Sequence, residues 1–394
     1  MSEVEFVAGA TVFRQNDAGD CLYVIDQGVV SVFLQGSEGS RIELGDLSSG
    51  EVLGEMALIS GETRTAFAVA RTASRLLALP AERFEDLCRR QPAVGQVLTN
   101  VMADRLGARR YDALCSRTLN GYEIDGRLGR GGMSVVYSAT CRASGGRFAL
   151  KMMSHRLVFD PVCCELFDRE GELVAAFRHP NIPRVHDRFS AFRTRFIALD
   201  LIDGETLAQI IPAGRGLPED VALRILGQVA AALQYAHSVG VVHRDLKPPN
   251  LMLDRCGALK LLDFGLALPP AQSADEPVTA AGTLAYMAPE QFEAVRVGPE
   301  ADYFALGCVA YEMLTGRMLF CENTISAAVE RRRTNEIRSF RELLPEAGEP
   351  ISDVFDASLR ADPRERRLNL ERLVRFAAPV DRSHLVGRPD RRPR

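Results

Sequence analysis

The stretch "VVHRDLKPPNLML" spans Val241 to Leu253 and holds His243, Arg244, Asp245, Lys247 and Asn250 in one short loop. Lys247 is the informative residue. Of 48 basic residues only three are lysines, Lys151, Lys247 and Lys260. A chain that prefers arginine this strongly keeps lysine where arginine will not serve. An ammonium is a compact point charge and a guanidinium a wide planar fork, so the two are not interchangeable at a tight phosphate site.

Four other stretches extend this loop in both directions. "LGRGGMSVVYSA" (128–139) reads as a glycine-rich strand–turn–strand, and glycines let a backbone approach phosphate oxygens with its N–H groups. "FALKMM" sets Lys151 on the next strand, 22 residues after Gly129, and "DREGELVAAF" is a helix-like run carrying Glu170. "LKLLDFGLA" holds Asp263, Phe264 and Gly265, and "GTLAYMAPE" ends in Ala288, Pro289 and Glu290. In this order they match the protein-kinase signature set. Residues 122–380 therefore resemble a Ser/Thr protein kinase, and "GGMSVVY" and "HPNIPRVHD" are similar to the bacterial branch of that family.

The resemblance implies ATP and Mg²⁺ as cofactors and a protein substrate phosphorylated on serine or threonine. Lys151 would hold the α- and β-phosphates, oriented by Glu170. Asn250 and Asp263 would carry the metal. Asp245 would accept the hydroxyl proton, with Lys247 steadying the γ-phosphate. Leu128, Gly129, Gly131, Gly132 and Ser134 would form the phosphate loop. Val136, Ala149 and Leu253 would sandwich the base, and Asp200 and Leu201 in "FIALDLIDGETL" would be the hinge. Asp302 and Arg366 look like core supports, Arg366 as the partner of Glu290. Thr279, then Ser273, are the candidate phosphorylation sites. Two positions depart from the pattern: Ser134 replaces a loop glycine, and Pro249 removes a backbone N–H beside Asn250. Neither removes a catalytic side chain.

The first part of the chain has a different texture. Short apolar runs broken by glycine and Asp/Asn turns, as in "CLYVIDQGVVSVFLQG", predict closely spaced strands. Proline-led helical patterns follow, the longer from Pro92 to about Leu114. Within the strands, "GEVLGEMALISGETRTAFAVA" (Gly50–Ala70) sets a small-residue turn before a short helix, with Arg64 nine residues after Glu55. A helix start binds anions, a carboxylate accepts from a sugar hydroxyl, and a guanidinium grips phosphate. This arrangement resembles the phosphate cassette of cyclic-nucleotide-binding domains. The resemblance implies a ligand, cyclic GMP or cyclic AMP, with Glu55 on the ribose and Arg64 on the phosphate. Gly54, Met56 and Ala57 would line the cradle, and Thr65 would favour guanine. Alternatively Glu55 and Arg64 form an internal ion pair that only holds the roll together.

The fold expected is an α+β multidomain chain: an N-terminal β-roll or barrel with C-terminal helices, then a two-lobed kinase with an antiparallel β N-lobe and a mostly helical C-lobe. The expected boundaries are 1–117 for the nucleotide-binding-like domain, 118–121 for a linker, 122–380 for the kinase and 381–394 for a basic tail. A net charge of −4 gives no global field for nucleic acid. No apolar run reaches membrane-span length and no signal peptide opens the chain, so a soluble cytoplasmic protein is expected. Nine scattered cysteines without a Cys-x-x-Cys pair fit reduced thiols. The reading is a kinase gated by a cyclic nucleotide. The alternatives are a kinase whose roll serves docking or dimerisation, and a pseudokinase scaffold. The sequence leaves the oligomeric state open.

Overall fold

The computed structural model of the chain describes residues 1–35, 40–60, 63–90, 114–115, 117–131, 133–154, 157–158, 160–192, 194–264, 284–292, 297–322, 324–333, 340–356 and 358–382. The helix expected from Pro92, the candidate phosphorylation sites Thr279 and Ser273, and Gly132 and Gly265 lie outside them. The described chain forms two compact units, 1–168 with 186–199, and 169–185 with 200–394.

The first unit opens with a β-roll. One sheet has the order β1 (Ser2–Phe6), β8 (Ser74–Pro80), β3 (Cys21–Gln27), β6 (Val52–Leu53). The other has β2 (Thr11–Phe13), β7 (Phe67–Ala70), β4 (Val30–Gln35), β5 (Arg41–Leu47). On β8 buried Ser74, Leu76 and Ala78 alternate with half-exposed Arg75 and Leu77, as a sheet with one dry face requires. Ile25, Val30, Leu53, Ala68 and Leu76 fill the roll's interior. The β3–β4 turn needs Gly28: its φ is +98°, and a Cβ there would collide with Ser74 and the Ala73 carbonyl. Two short helices accompany these strands, α1 (Glu55–Ser60) and α2 (Ala81–Arg90).

The same unit contains a larger antiparallel sheet. Its order is β13 (Val185–Ala191), β14 (Thr194–Asp200), β12 (Arg147–Met153), β11 (Ser134–Cys141), β10 (Tyr122–Arg130), β9 (Thr118–Leu119). Thr118 and Leu119 stand in the stretch expected to be a linker, yet they pair with β10. The cause is the Asn120-Gly121 turn, with φ of 47° and 84°. Positive φ at both central residues suits a tight hairpin, and Asn-Gly is the pair that adopts it readily. Across the sheet, Tyr137 pairs with Leu150, Val135 with Met152 and Ala139 with Phe148. These side chains share one face, which is dry: Tyr137, Ala139 and Leu150 are fully buried.

That face does not end in solvent. Leu22, Met56, Leu58, Leu79 and Phe84 of the roll belong to one continuous buried cluster with Leu114, Leu119, Ile124, Tyr137, Leu150 and Phe196. The roll and the larger sheet thus share an interior.

The second unit is mostly helical. A small sheet β15 (Gly204–Thr206), β16 (Leu251–Asp254), β17 (Leu259–Leu261) lies in it. In chain order its helices are α3 (Pro161–Ala175, which begins in the first unit), α4 (Leu207–Ile210), α5 (Glu219–Ser238), α6 (Glu300–Thr315), α7 (Ile325–Arg333), α8 (Phe340–Leu343), α9 (Glu349–Phe355) and α10 (Leu370–Val374). Buried Gln228 on α5 ties distant segments together. Its Oε1 accepts from Asn181 Nδ2 and Leu259 N, and its Nε2 donates to the Gly257 and Ala378 carbonyls. The expected β-rich N-terminal part followed by a mixed and then helical part is what the structure shows. Among the described residues no helix is long and apolar enough to cross a membrane.

Candidate active site and cyclic-nucleotide cassette

In the second unit the chain leaves α5 and turns through His243 to Lys247 before a 3-10 turn, Pro248–Asn250. Arg244 has φ of 66°, a conformation that β-carbon-bearing residues hold only when neighbours impose it. Asp302, in the first turn of α6 and 0% exposed, imposes it. Its Oδ1 accepts from Arg244 N at 2.8 Å. Its Oδ2 accepts from His243 N at 2.9 Å and lies 2.7 Å from His237 Nε2. His243 Nε2–H donates to the Leu262 carbonyl at 2.9 Å, so Nδ1 is left to accept from Asp245 N at 3.3 Å. A neutral imidazole with the proton on Nε2 satisfies both bonds.

This scaffold presents Asp245. Lys247 Nζ lies 2.9 Å from its Oδ1 and 2.8 Å from its Oδ2. Asn250 Nδ2 donates to the Asp245 carbonyl at 2.8 Å and to Oδ2 at 3.0 Å. The Asp245 side chain keeps 23% of its surface exposed, enough for a substrate to reach it. With Nδ2 engaged, no described hydrogen bond uses Asn250 Oδ1. Asp263 follows β17 with φ of 49°. A carboxylate and a carboxamide oxygen are ligands of the kind Mg²⁺ takes beside substrate phosphates. Arg366 grips Glu290 with two bonds of 2.7 and 3.0 Å and donates to the carbonyls of Arg360, Ala361 and Glu300. Asp200, Leu201, Leu253 and Glu170 also belong to this unit, Leu253 fully buried and Asp200 accepting from Arg184 N at 2.9 Å.

In the first unit the sheet register sets Gly129, Val136 and Lys151 in one row across β10, β11 and β12. Ala149 is two residues back on the same face as Lys151, and Lys151 is 7% exposed. Leu128 is exposed. Gly131 N donates to the Ser134 carbonyl at 2.8 Å and closes the turn. A Cβ at Gly129 would meet nothing, and at Gly131 only Ser134, no closer than 3.7 Å. Packing therefore does not demand these glycines. The space they leave suits a phosphate chain against backbone N–H groups.

The cassette lies in the roll. Arg64 is 2% exposed. Its Nη1 donates to the Gly54 carbonyl at 2.9 Å, and its Nη2 to the Cys21 carbonyl at 2.7 Å and to Asp20 Oδ1 at 3.1 Å. The Phe13 ring centroid is 4.5 Å from the guanidinium carbon. Arg64 Nε is buried without a hydrogen-bond partner. A buried orphan N–H on an arginine that bonds the Gly54 carbonyl, with buried Glu55 next in the chain at the start of α1, fits an anionic ligand that also offers a hydroxyl. Gly54 has φ of +80°, and a Cβ there would collide with Arg64 Nη1. Met56 and Ala57 are buried, and Thr65 Oγ1 donates to Met56 Sδ at 3.7 Å. Burial raises the pKa of Tyr23 and of Cys21 beside the arginine, so both stay protonated and uncharged at neutral pH.

A protein kinase domain family model matches residues 122–375. The chain belongs to that family. A cyclic nucleotide-binding domain model matches residues 3–91. Serine/threonine-protein kinase PknB of Mycobacterium leprae is 36% identical over 223 residues, 55% of this chain and 36% of that protein. A probable serine/threonine-protein kinase of Streptomyces coelicolor, SCO3848, is 33% identical over 258 residues, 64% of this chain and 38% of its own. The probable PknB of Lactococcus lactis is 30% identical over 255 residues, 64% and 41%. The chain thus spans about two fifths of the length of these curated relatives. The solved kinase domain of Mycobacterium tuberculosis PknI is 28% identical, with a TM-score of 0.52 covering 66% of this chain and 96% of that one.

Within this member of the protein kinase domain family, the structure brings Asp245, Lys247 and Asn250 into direct contact, and Gly129, Val136 and Lys151 into one row. Sequence reading missed Asp20 and Phe13 as partners of Arg64. Asp20 immediately precedes β3 in "GDCL", but its meeting with a residue 44 positions away leaves no local pattern.

Proposed function

We propose that the chain transfers the γ-phosphoryl group of ATP to serine or threonine hydroxyls of protein substrates, under control of a cyclic nucleotide held by the roll. The observation that carries the kinase half is the Asp245 carboxylate, oriented by Lys247 and Asn250 on a loop that Asp302 fixes. Mg²⁺–ATP, when bound, supplies the phosphoryl group and neutralises charge on it. Asp245 takes the proton of the attacking hydroxyl. Lys247, beside that carboxylate, carries positive charge to where the transferred group gains negative charge. Lys151 and the glycine turn hold the phosphates, and Asn250 and Asp263 hold the metal. Val136, Ala149 and Leu253 clasp the base, with Asp200 and Leu201 as the hinge, and Glu170 orients Lys151. Thr279 and Ser273 remain the candidate phosphorylation sites of the activation segment.

The gating half rests on the shared interior. Met56 and Leu58 of α1 sit in the same cluster as the dry face of the sheet whose other face carries Lys151. Arg117 Nη2 donates to the carbonyl of Thr65, the residue after Arg64, at 3.3 Å. Ligand binding that moves Arg64 or α1 therefore moves groups packed on the kinase sheet, and a gate needs only unequal affinity for two states. One observation favours the docking alternative: both Nη atoms of Arg64 already have internal acceptors.

The deciding measurement is phosphate transfer from ATP to the chain and to a basic protein, with and without cyclic GMP or cyclic AMP. The expected response is about 5- to 150-fold, in either direction. In Arg64→Ala that ratio falls to one. Arg117→Met is expected to bind the nucleotide as the wild type does, by calorimetry, but to lose at least about half of the coupling free energy, since its bond to Thr65 is gone. Equal rates with and without nucleotide would leave the kinase and turn the roll into a docking module. No transfer at all would favour the scaffold.

A further inference from the structure

Arg332, near the end of α7, is 0% exposed. Its Nε donates to the Met287 carbonyl at 2.9 Å and its Nη2 to the Leu284 carbonyl at 2.7 Å. Its Nη1 donates to the Ala328 carbonyl at 2.9 Å and to Glu322 Oε2 at 3.3 Å. The Phe320 ring centroid lies 4.1 Å from the guanidinium carbon. Burial lowers the Arg332 pKa from its ordinary value, which reflects what its desolvation costs. An apolar side chain of similar size would fill such a place without that cost. The guanidinium does what an apolar chain cannot: one planar fork holds both ends of Leu284–Met287.

That segment is linked by hydrogen bonds to the loop of the proposed catalytic base. Between its ends, the Tyr286 hydroxyl donates to Glu312 Oε2. Just beyond, Ala288 N donates to Gln291 Oε1 at 2.9 Å, and Gln291 Nε2 donates to the carbonyl of Arg244, the residue before Asp245, at 2.8 Å. The segment is thus tied, through Gln291, to the backbone of the loop that presents Asp245, the group to which a substrate hydroxyl must be delivered. The described hydrogen bonds of Arg332 reach none of Asp245, Lys247, Asn250 or Lys151.

We propose that Arg332 is a positioning residue for the protein substrate, holding Leu284–Met287 as the platform on which the acceptor polypeptide lies. The proposal rests on the kinase reading. It predicts a change in polypeptide binding separate from nucleotide chemistry.

The test uses the full chain, ATP and a serine-rich basic protein. It compares the wild type with Arg332→Met, Arg332→Lys and the double variant Arg332→Met/Glu322→Gln, which also removes the Glu322 charge that Arg331 alone would otherwise hold at 2.8 Å. The KM for the protein is expected to rise about tenfold or more in both methionine variants, the value of one charge-assisted hydrogen bond. Lysine reaches one carbonyl, not two, and gives a smaller rise. The KM for ATP and the slow hydrolysis of ATP without protein substrate stay within about twofold of the wild type, a split that general loss of fold would not produce. An unchanged KM for the protein overturns the proposal. So does a joint loss of both KM values and ATP hydrolysis with a lowered Tm, or failure of all three variants to fold. A wild type that transfers no phosphate overturns the kinase reading instead, and is told apart by the absence of any KM to compare.

Discussion

Asp245→Asn lowers phosphate transfer by about two to four orders of magnitude, the range over which a positioned general base acts. The substitution is nearly isosteric. The carboxamide oxygen can still accept from Lys247 or Asn250, so the loop keeps its hold through Asp302 and the Asp245 main chain. What is lost is the capacity to take a proton. ATP binding, measured by calorimetry, stays near the wild-type value while the initial rate of transfer collapses. A variant within tenfold of the wild-type rate would remove Asp245 from the role of base, whatever else the chain does.

Asp302→Ala acts on the same loop from behind and costs stability as well as rate. The carboxylate serves His243 N, Arg244 N and His237 in a place with no exposure. Each buried donor left alone costs about 1–3 kcal/mol, so the total is at least about 3 kcal/mol. His237 is the worst placed, because its Nδ1 is already buried without a partner. For a unit of this size the melting midpoint falls by roughly 2–4 °C per kcal/mol, or on the order of 10 °C in all. Arg244 then loses the bond that holds its positive φ, and Asp245 moves with it. Differential scanning calorimetry and initial rates together check this. A midpoint within about 2 °C of the wild type would show that the three donors find other partners.

Legibility in the sequence followed contact range. Asp245, Lys247 and Asn250 meet because they share one loop, so their spacing carries the geometry. The Glu290–Arg366 pair was legible for another reason: both belong to motifs whose order along the chain is distinctive. Arg332 shows the opposite case. It stands in "ERRR" beside Arg331, and such a run reads as a solvated face, yet Arg331 is 50% exposed and Arg332 0%. Only helix rotation against a segment 45 residues earlier separates them. Alternation in "SVVYSATC" announces a strand with two faces but not what covers each one. The strand at Thr118–Leu119 is too short for any period to reveal.

The common interior of roll and sheet limits how this protein can be divided. Family matches meet along the chain with a gap between residues 91 and 122, and a cut there looks harmless on paper. In the folded molecule that cut passes through one hydrophobic cluster. A fragment beginning at Tyr122 would wet Ile124, Tyr137 and Leu150 on one side of its sheet, and the excised roll would wet Met56, Leu58 and Phe84. Each half would therefore be sticky alone. A chimera that grafts this roll onto another enzyme would have to carry the receiving surface with it.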